Sequence, residues 1–376
     1  MTTASALVLA RQNLTSPEVT RGASAMAEAY LNAVGTAWPE HEVHGCFKEF
    51  ARRQIAGRRQ VVLNRMLARS GISKRWSTLR PSTTEAGVDD EGFYTFGAFP
   101  PTSARMARYD AFATATAAHA VEDLGVIPGD ITHLLVTSCT GLSAPGVDLQ
   151  LIDALGLSRS IERTLIGFMG CYAGITALRL ARQIVRGEPD AKVLIVSIEL
   201  CTLHLQETDD LEKILSFSIF GDGAAACLVT SDASGVRLDE PVTATLPAAK
   251  DLIRWNVGDQ GFDMVLSGET PAALAEGLPR AIPFIAPDGT DAVDHWAVHP
   301  GGKSILDAVE KALALNPDAL ETSRGVLNDF GNMSSATVLF VLKDMLHAGV
   351  RSGERGVAMA FGPGLTAETM RFSGCA

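Results

Sequence analysis

Gly167-Phe168-Met169-Gly170-Cys171-Tyr172-Ala173-Gly174 follows an apolar, β-prone approach, Thr164-Leu165-Ile166, and leads into a run of helical periodicity from Ile175 to Val185. The junction predicts a strand-to-helix turn with Cys171 in it. Its glycines let the backbone turn tightly and leave room beside the sulfur. A cysteine at a helix start faces the positive end of the helix dipole, which favours thiolate over thiol. This reading makes Cys171 a nucleophile. The competing reading is a buried free cysteine, the common fate of that residue.

Working outward, the same grammar recurs. His133-Leu134-Leu135-Val136-Thr137 reads as a strand, followed by a loop over 139–146 and a helix over 147–155. Val193-Leu194-Ile195-Val196 is apolar throughout, the pattern of a strand covered on both faces. Phe220-Gly221-Asp222-Gly223 turns into another buried strand over 224–229. Beyond a polar stretch at 231–240, His295-Trp296-Ala297-Val298 is a strand ending in His299-Pro300-Gly301-Gly302. Gly331-Asn332-Met333-Ser334-Ser335 opens an apolar helix, and a strand at 356–360 meets the turn Gly362-Pro363-Gly364. In each half, a small-residue turn opens a buried helix, a buried strand follows, and a glycine-rich turn leads to another strand. The reading is α/β: two duplicated halves, 1–235 and 236–376, with mixed, mainly parallel sheets. Nearer the N-terminus, Ser16-Pro17-Glu18 predicts a helix start. A helical region runs from Phe47 to Arg69, and Ser103 is placed as the cap of a long helix reaching Asp123.

The 376 residues carry a formal charge of -11, which argues against general binding to nucleic acid or anionic membranes. Against this acidic background Arg58, Arg59, Arg65, Arg69, Lys74 and Arg75 form the densest basic cluster. It reads either as a solvated helix face or as an anion site for a phosphate-bearing substrate. Six cysteines show no paired or zinc-type spacing, and no secretory signal or membrane-spanning segment is read. The expectation is reduced thiols in a cytoplasmic protein with no metal and no membrane anchor.

Cys171, His299 and Asn332 stand at equivalent turns. A cysteine nucleophile needs a base or an imidazolium partner. His299 is either that partner or a hydrogen-bonded core histidine. Asn332 is either a helix cap or an amide donor to a carbonyl or oxyanion at the sulfur.

Five stretches together carry a resemblance: 167–174 around Cys171, Ile219-Phe220-Gly221-Asp222-Gly223-Ala224-Ala225-Ala226, Trp296-Ala297-Val298-His299-Pro300-Gly301-Gly302, Gly331-Asn332-Met333-Ser334-Ser335-Ala336 and Phe361-Gly362-Pro363-Gly364-Leu365-Thr366-Ala367-Glu368-Thr369. In this order they resemble the type III polyketide synthases, the chalcone synthase-like family of the thiolase superfamily. The resemblance implies a thiolase-like fold of two αβαβα halves, a homodimer, and a buried site reached by a coenzyme A tunnel. It implies no permanently bound cofactor, only acyl-CoA and malonyl-CoA as substrates. It gives Cys171 the acyl chain, and it gives His299 and Asn332 the malonyl carbonyl and the enolate left by decarboxylation. Arg65 and Arg69 align with residues that contact coenzyme A phosphates. Lys303 neighbours a family lysine position at Ser304, and Gly301 and Gly302 are placed with it. Phe220 matches a gatekeeper aromatic, Met264 stands where chalcone synthase has a second one, and Trp255 replaces a cavity glycine.

Cys139, Thr140, Ala144, Cys201 and His204 fall at starter-site positions, and Ser334, Gly362, Pro363 and Gly364 are placed with the substrate. Small residues at Thr140, Ala144 and Cys201 are read as a tunnel for an aliphatic tail, giving an alkylpyrone or alkylresorcinol product. The alternatives are a single-condensation ketoacyl synthase III or thiolase-like enzyme, and a non-catalytic acyl-CoA-binding homologue.

Overall fold

The computed structural model describes residues 26–83, 88–245 and 249–375; the helix start expected at Ser16 lies outside them. The strands are β1 (Tyr30–Ala37), β2 (His41–Glu42), β3 (Trp76–Ser77), β4 (His133–Ser138), β5 (Glu162–Gly167), β6 (Val193–Leu200), β7 (Asp222–Thr230), β8 (Val236–Thr245), β9 (Ile253–Gly258), β10 (Gly261–Leu266), β11 (His295–Val298), β12 (Arg355–Gly362) and β13 (Thr366–Gly374). The helices are α1 (His44–Arg53), α2 (Arg58–Leu67), α3 (Thr102–Leu124), α4 (Val147–Leu155), α5 (Ala173–Gly187), α6 (Leu211–Phe217), α7 (Thr270–Ile285), α8 (Lys303–Ala312), α9 (Glu321–Phe330) and α10 (Thr337–Ala348).

Nine strands form one sheet in the order β11-β12-β13-β8-β1-β7-β6-β4-β5. Its seam is the short contact of β1 with β8, where Tyr30 faces Arg237 and Leu31 faces Val236. Outward from the seam the two directions repeat each other. β1-β7-β6-β4 and β8-β13-β12-β11 are each joined by antiparallel, antiparallel and then parallel pairing. The duplication read from the order of elements is therefore present in the topology. The sheet is less parallel than expected: parallel pairing is confined to β11/β12, β4/β6 and β4/β5 at its two ends. Between β12 and β13 the reason is local. The turn Pro363–Leu365 is far too short for the crossover that parallel neighbours require.

Side-chain alternation sorts the sheet into five layers. Leu134 and Val136 of β4 pack with Tyr109, Ala113 and Ala117 of α3, while Leu135 between them packs with Leu178 of α5. Across the seam, Ala358 and Ala360 of β12 face the core of α5 and α10, whereas Val357 and Met359 face α7 and α8. The buried pair α5 and α10 is thus the middle layer, with sheet on both sides and helices outside. β4 and β6 are buried at every position, as strands covered on both faces must be.

Three local expectations change. The helical region at 47–69 breaks into α1 and α2, because Gly57 takes φ 65, a left-handed conformation suited to glycine. Thr102 begins α3 after Pro101, so Ser103 lies inside the helix and caps nothing. The polar stretch 231–240, where the halves are divided, turns into a strand, since β8 starts at Val236.

Candidate active site

The middle layer brings the three turns together. β5 ends at Gly167, and a short 3-10 turn, Gly170–Tyr172, runs directly into α5, so Cys171 does sit at a helix start. Phe168 has φ 55, an uncommon backbone state for a side chain of its size. Two glycines make the turn possible. A Cβ on Gly170 would lie 2.3 Å from Pro363 Cδ, and one on Gly174 would lie 2.6 Å from the Ser335 carbonyl oxygen. The second contact lets the start of α5 rest on the backbone before α10, which carries Asn332 toward Cys171.

His299 follows β11 and is held through its backbone, its N–H donating to Met359 O at 2.7 Å. Its ring is buried, and neither ring nitrogen has a hydrogen-bond partner. Burial alone pushes the imidazole down to about 3, so it is neutral. Asn332 is anchored on both sides: its N–H donates to Ile219 O at 2.8 Å, and its carbonyl accepts from Gly221 N–H at 3.0 Å. These form a parallel bridge to Phe220. Asn332 Oδ1 accepts from Ser334 N–H at 2.8 Å and stands 4.0 Å from Cys171 Sγ. A carboxamide oxygen fixed by a backbone N–H leaves its NH2 free to donate.

Cys171, His299 and Asn332 line one hollow with Phe220, Trp255, Met264, Phe361 and Pro363. The Cys171 side chain is only partly covered because it opens into this hollow. Even so, burial pushes its thiol up to about 12, the Ser334 hydroxyl pulling the other way and the Glu199 charge adding to the rise. Burial thus works against the thiolate expected from the helix position.

A second, smaller hollow shares Phe220, Trp255 and Met264 with the first. Those three side chains are the partition. Trp255 and Met264 are paired across the β9/β10 hairpin, which presents both to the same wall. Cys201 and His204 line the second hollow. His204 donates from Nε2 to Thr140 O at 2.8 Å and accepts at Nδ1 from Phe262 N–H at 3.1 Å. Its ring also stacks on Phe262, with centroids 4.2 Å apart. Fully hydrogen-bonded and held neutral by burial at about 3, it is a structural histidine.

Other expected site residues fall elsewhere. Thr140 is buried, but its hydroxyl is taken by Glu199 at 2.8 Å and by Leu200 N–H at 2.9 Å. Cys139 Sγ accepts from Gly170 N–H at 3.0 Å and supports the Cys171 turn. Ala144 is exposed and belongs to the lining of neither hollow. Gly362 and Gly364 flank Pro363, and only Pro363 reaches the first hollow. Arg65 and Arg69 are exposed near the end of α2, and the Lys303 stem packs against Gly71, 3.8 Å from where a Cβ would stand. Gly302 caps α8 with φ 150. Arg75 leaves the basic patch altogether. It is fully buried, donates to Phe217 O and Phe220 O at 3.1 and 3.0 Å, and bonds His44 Nδ1 at 3.0 Å.

One residue was missed. Glu199 is fully buried near the end of β6. It accepts from Cys139 N–H at 2.9 Å, Thr140 Oγ1 at 2.8 Å and Ser335 Oγ at 2.5 Å, joining the loop after β4 to the start of α10. Burial pushes its carboxyl up to about 7. The available signal was an acid between apolar neighbours in a buried strand pattern, Ile198-Glu199-Leu200.

The sheet order and the layered, duplicated halves define a thiolase-like α/β fold. Residues 16–233 match the N-terminal domain of chalcone and stilbene synthases, and residues 237–375 match their C-terminal domain. The chain is 37% identical over 278 residues, 69% of either chain, to bisdemethoxycurcumin synthase of Oryza sativa subsp. japonica. It is 26% identical to PKS-I of the brown alga Ectocarpus siliculosus, with TM-score 0.80 over 93% of this chain and 98% of that one. It is 25% identical to the C-terminal type III polyketide synthase domain of Steely1 from Dictyostelium, with TM-score 0.82 over 93% and 100%. The chain belongs to the chalcone and stilbene synthase family, the type III polyketide synthases, and is an acyltransferase. Among the described residues, no helix is long and apolar enough to cross a membrane.

Proposed function

We propose that this chain loads an acyl-CoA starter on Cys171, extends it by repeated decarboxylative condensation with malonyl-CoA, and cyclises the product. One observation carries the reading: a buried His299 with both ring nitrogens unpartnered, set beside Cys171 and Asn332 in an apolar hollow. Buried polar atoms are nearly always paired, so two free ones in one ring point to a ligand. With the thiol near 12 and the imidazole near 3, both groups rest neutral. As the sulfur attacks the starter thioester, its proton passes to His299 and then to the departing coenzyme A thiolate. The S–C bond to Cys171 forms as the C–S bond to coenzyme A breaks. In the extension step the malonyl C–C bond breaks, carbon dioxide leaves, and the enolate oxygen accepts from His299 and the Asn332 NH2. The enolate carbon then attacks the Cys171 thioester.

Arg65, Arg69 and Lys303, with the α8 start at Gly301 and Gly302, are read as the coenzyme A phosphate contacts. The working state is read as a cytoplasmic homodimer of chains divided at 235/236. The second hollow, apolar and reached past Phe220, Trp255 and Met264, is read as the space for an aliphatic starter leading to an alkylpyrone or alkylresorcinol. Of the small residues first assigned to that space, Cys201 is the one that lines it. An aromatic starter is the second reading, favoured by the rings of Phe217, Phe220, Trp255 and Phe262 around the same hollow.

Incubation with malonyl-CoA and acyl-CoAs from acetyl to stearoyl, plus an aromatic acyl-CoA, with products identified by mass, tests both. Cys171→Ala abolishes acyl loading. His299→Gln and Asn332→Ala slow malonyl decarboxylation, each by about 100-fold, the usual effect of losing one oxyanion donor. Full product formation by Cys171→Ala overturns the mechanism. Reaction with aromatic starters alone overturns the aliphatic reading.

A further inference from the structure

At the opposite end of β5 from the Cys171 turn, His133, Glu162 and Glu188 converge. His133 Nε2 stands 3.5 Å from Glu162 Oε2 and 3.9 Å from Glu188 Oε2, and the three donor atoms all lie within 4.8 Å of one another. The backbone builds the cluster. His133 and Glu162 are register partners across β4 and β5, and Glu188 is the residue that ends α5. His133 is 6% exposed, while Glu162 and Glu188 are exposed.

A threonine hydroxyl has one hydrogen and two acceptor sites. Thr132 Oγ1 accepts from Lys192 N–H at 2.9 Å and lies 2.8 Å from His133 Nδ1 and 3.2 Å from Lys192 O. Lys192 O already accepts from the N–H groups of Thr132 and His133, so the hydroxyl hydrogen can serve either contact. The metal-competent tautomer is the one in which Oγ1 accepts from Nδ1–H, which turns the Nε2 lone pair toward the two carboxylates. The nearest lysine is engaged elsewhere, Lys192 Nζ bonding Asp130 at 3.0 Å. Among the described residues, neither Glu162 nor Glu188 pairs with a lysine or arginine.

We infer that His133, Glu162 and Glu188 form a binding site for a divalent transition-metal ion of the zinc type. Donors bound at 2.0–2.2 Å around a tetrahedral ion lie about 3.4 Å apart, close to the separations seen here. One imidazole with two carboxylates suits a borderline ion, and an imidazole whose second nitrogen is fixed by a hydrogen bond is the usual metal-ligand arrangement. Three protein ligands leave a fourth position for water. The ion ties β4, β5 and the end of α5 together, roughly 16 Å along β5 from the catalytic turn. Its role is structural.

The test is titration of the chelator-treated full chain with Zn2+ against a chromophoric competitor, with Co2+ as the spectroscopic probe. One ion per chain is expected, with a Co2+ spectrum lacking a thiolate charge-transfer band and a higher melting temperature in the loaded protein. The surface pair Glu162→Gln/Glu188→Gln removes the site without touching the core. His133→Ala removes it independently, and Thr132→Val weakens it about 10–100-fold by freeing the ring. Full stoichiometry in the double glutamine variant, a thiolate band, or no binding to the parent chain overturns the proposal. In the last case the cluster is an imidazolium salt bridge only.

Discussion

Glu199→Gln isolates the electrostatics of the junction between the halves. The carboxyl is fully buried, and burial raises it from an ordinary 4.5 to about 7. Folding therefore favours its protonated form. Between those two values the folded chain holds more protons than the unfolded chain, so stability falls as pH rises. The loss is complete above pH 7 and absent below about 4.5. The difference of about 2.5 units, at 1.36 kcal/mol each, gives about 3 kcal/mol from this one side chain. Glutamine cannot ionise. Its oxygen can still accept from Cys139 N–H and Thr140 Oγ1, and its NH2 can donate to Ser335 Oγ once that hydroxyl turns toward Thr137 Oγ1, 3.0 Å away. The Ser335 N–H, which also bonds the carboxylate, loses its acceptor, so the pH-independent cost is about 1–3 kcal/mol. Urea denaturation at half-unit steps from pH 5 to 8.5 reads the outcome. Relative to the parent, the variant gains about 3 kcal/mol across that range. A second readout follows from Cys171, whose thiol is pushed up in part by the Glu199 charge. Iodoacetamide labelling of the Cys171 peptide, followed by mass spectrometry, should reach its midpoint at lower pH in the variant. Parallel stability profiles, or a labelling midpoint that stays put or rises, refute the assignment of a buried titrating carboxyl.

Arg75→Met leaves the carbonyls of Phe217 and Phe220 unpaired and should destabilise the chain by about 3 kcal/mol, read as a lower denaturant midpoint at unchanged slope. Gly174→Ala drives a methyl to within 2.6 Å of the Ser335 carbonyl. It should cost about 1–3 kcal/mol and most of the condensing activity, checked by melting temperature and product yield. Trp255→Ala removes the largest side chain of the partition and merges the two hollows. Longer products or bulkier accepted starters should appear in product mass spectra, and an unchanged spectrum refutes the partition.

Much of this architecture is written in local pattern. The apolar run at 193–196 announces a doubly covered strand, and the small residues around Cys171 announce a turn. The topology then supplies what pattern lacks, because pairing direction depends on connection length and on which edges remain free. β13 runs antiparallel to both β12 and β8 for that reason. Local pattern put Cys171, His299 and Asn332 at turns, and the fold brings those turns to one hollow. The site was illegible where partners come from afar. Arg75 looks like one more cation beside Lys74, and only the distant carbonyls of Phe217 and Phe220 make it a buried pin. Ala144 looked like cavity lining by position but is exposed. The protonation states were beyond pattern altogether, since the surroundings that desolvate Cys171 and His299 are assembled from both halves of the chain.

The bridge between Phe220 and Asn332 bears on how such a chain can change. The main chain of Asn332, beside Cys171, bonds Ile219 O and Gly221 N–H, the two neighbours of Phe220 in the cavity wall. Substitutions that reshape the wall at Phe220 by moving its backbone necessarily tilt the Asn332 amide as well. Product range and turnover are therefore linked traits at this position. Variation that is free of the link must come from the opposite side of the partition, where Trp255 and Met264 hang from a hairpin with no rung to Asn332.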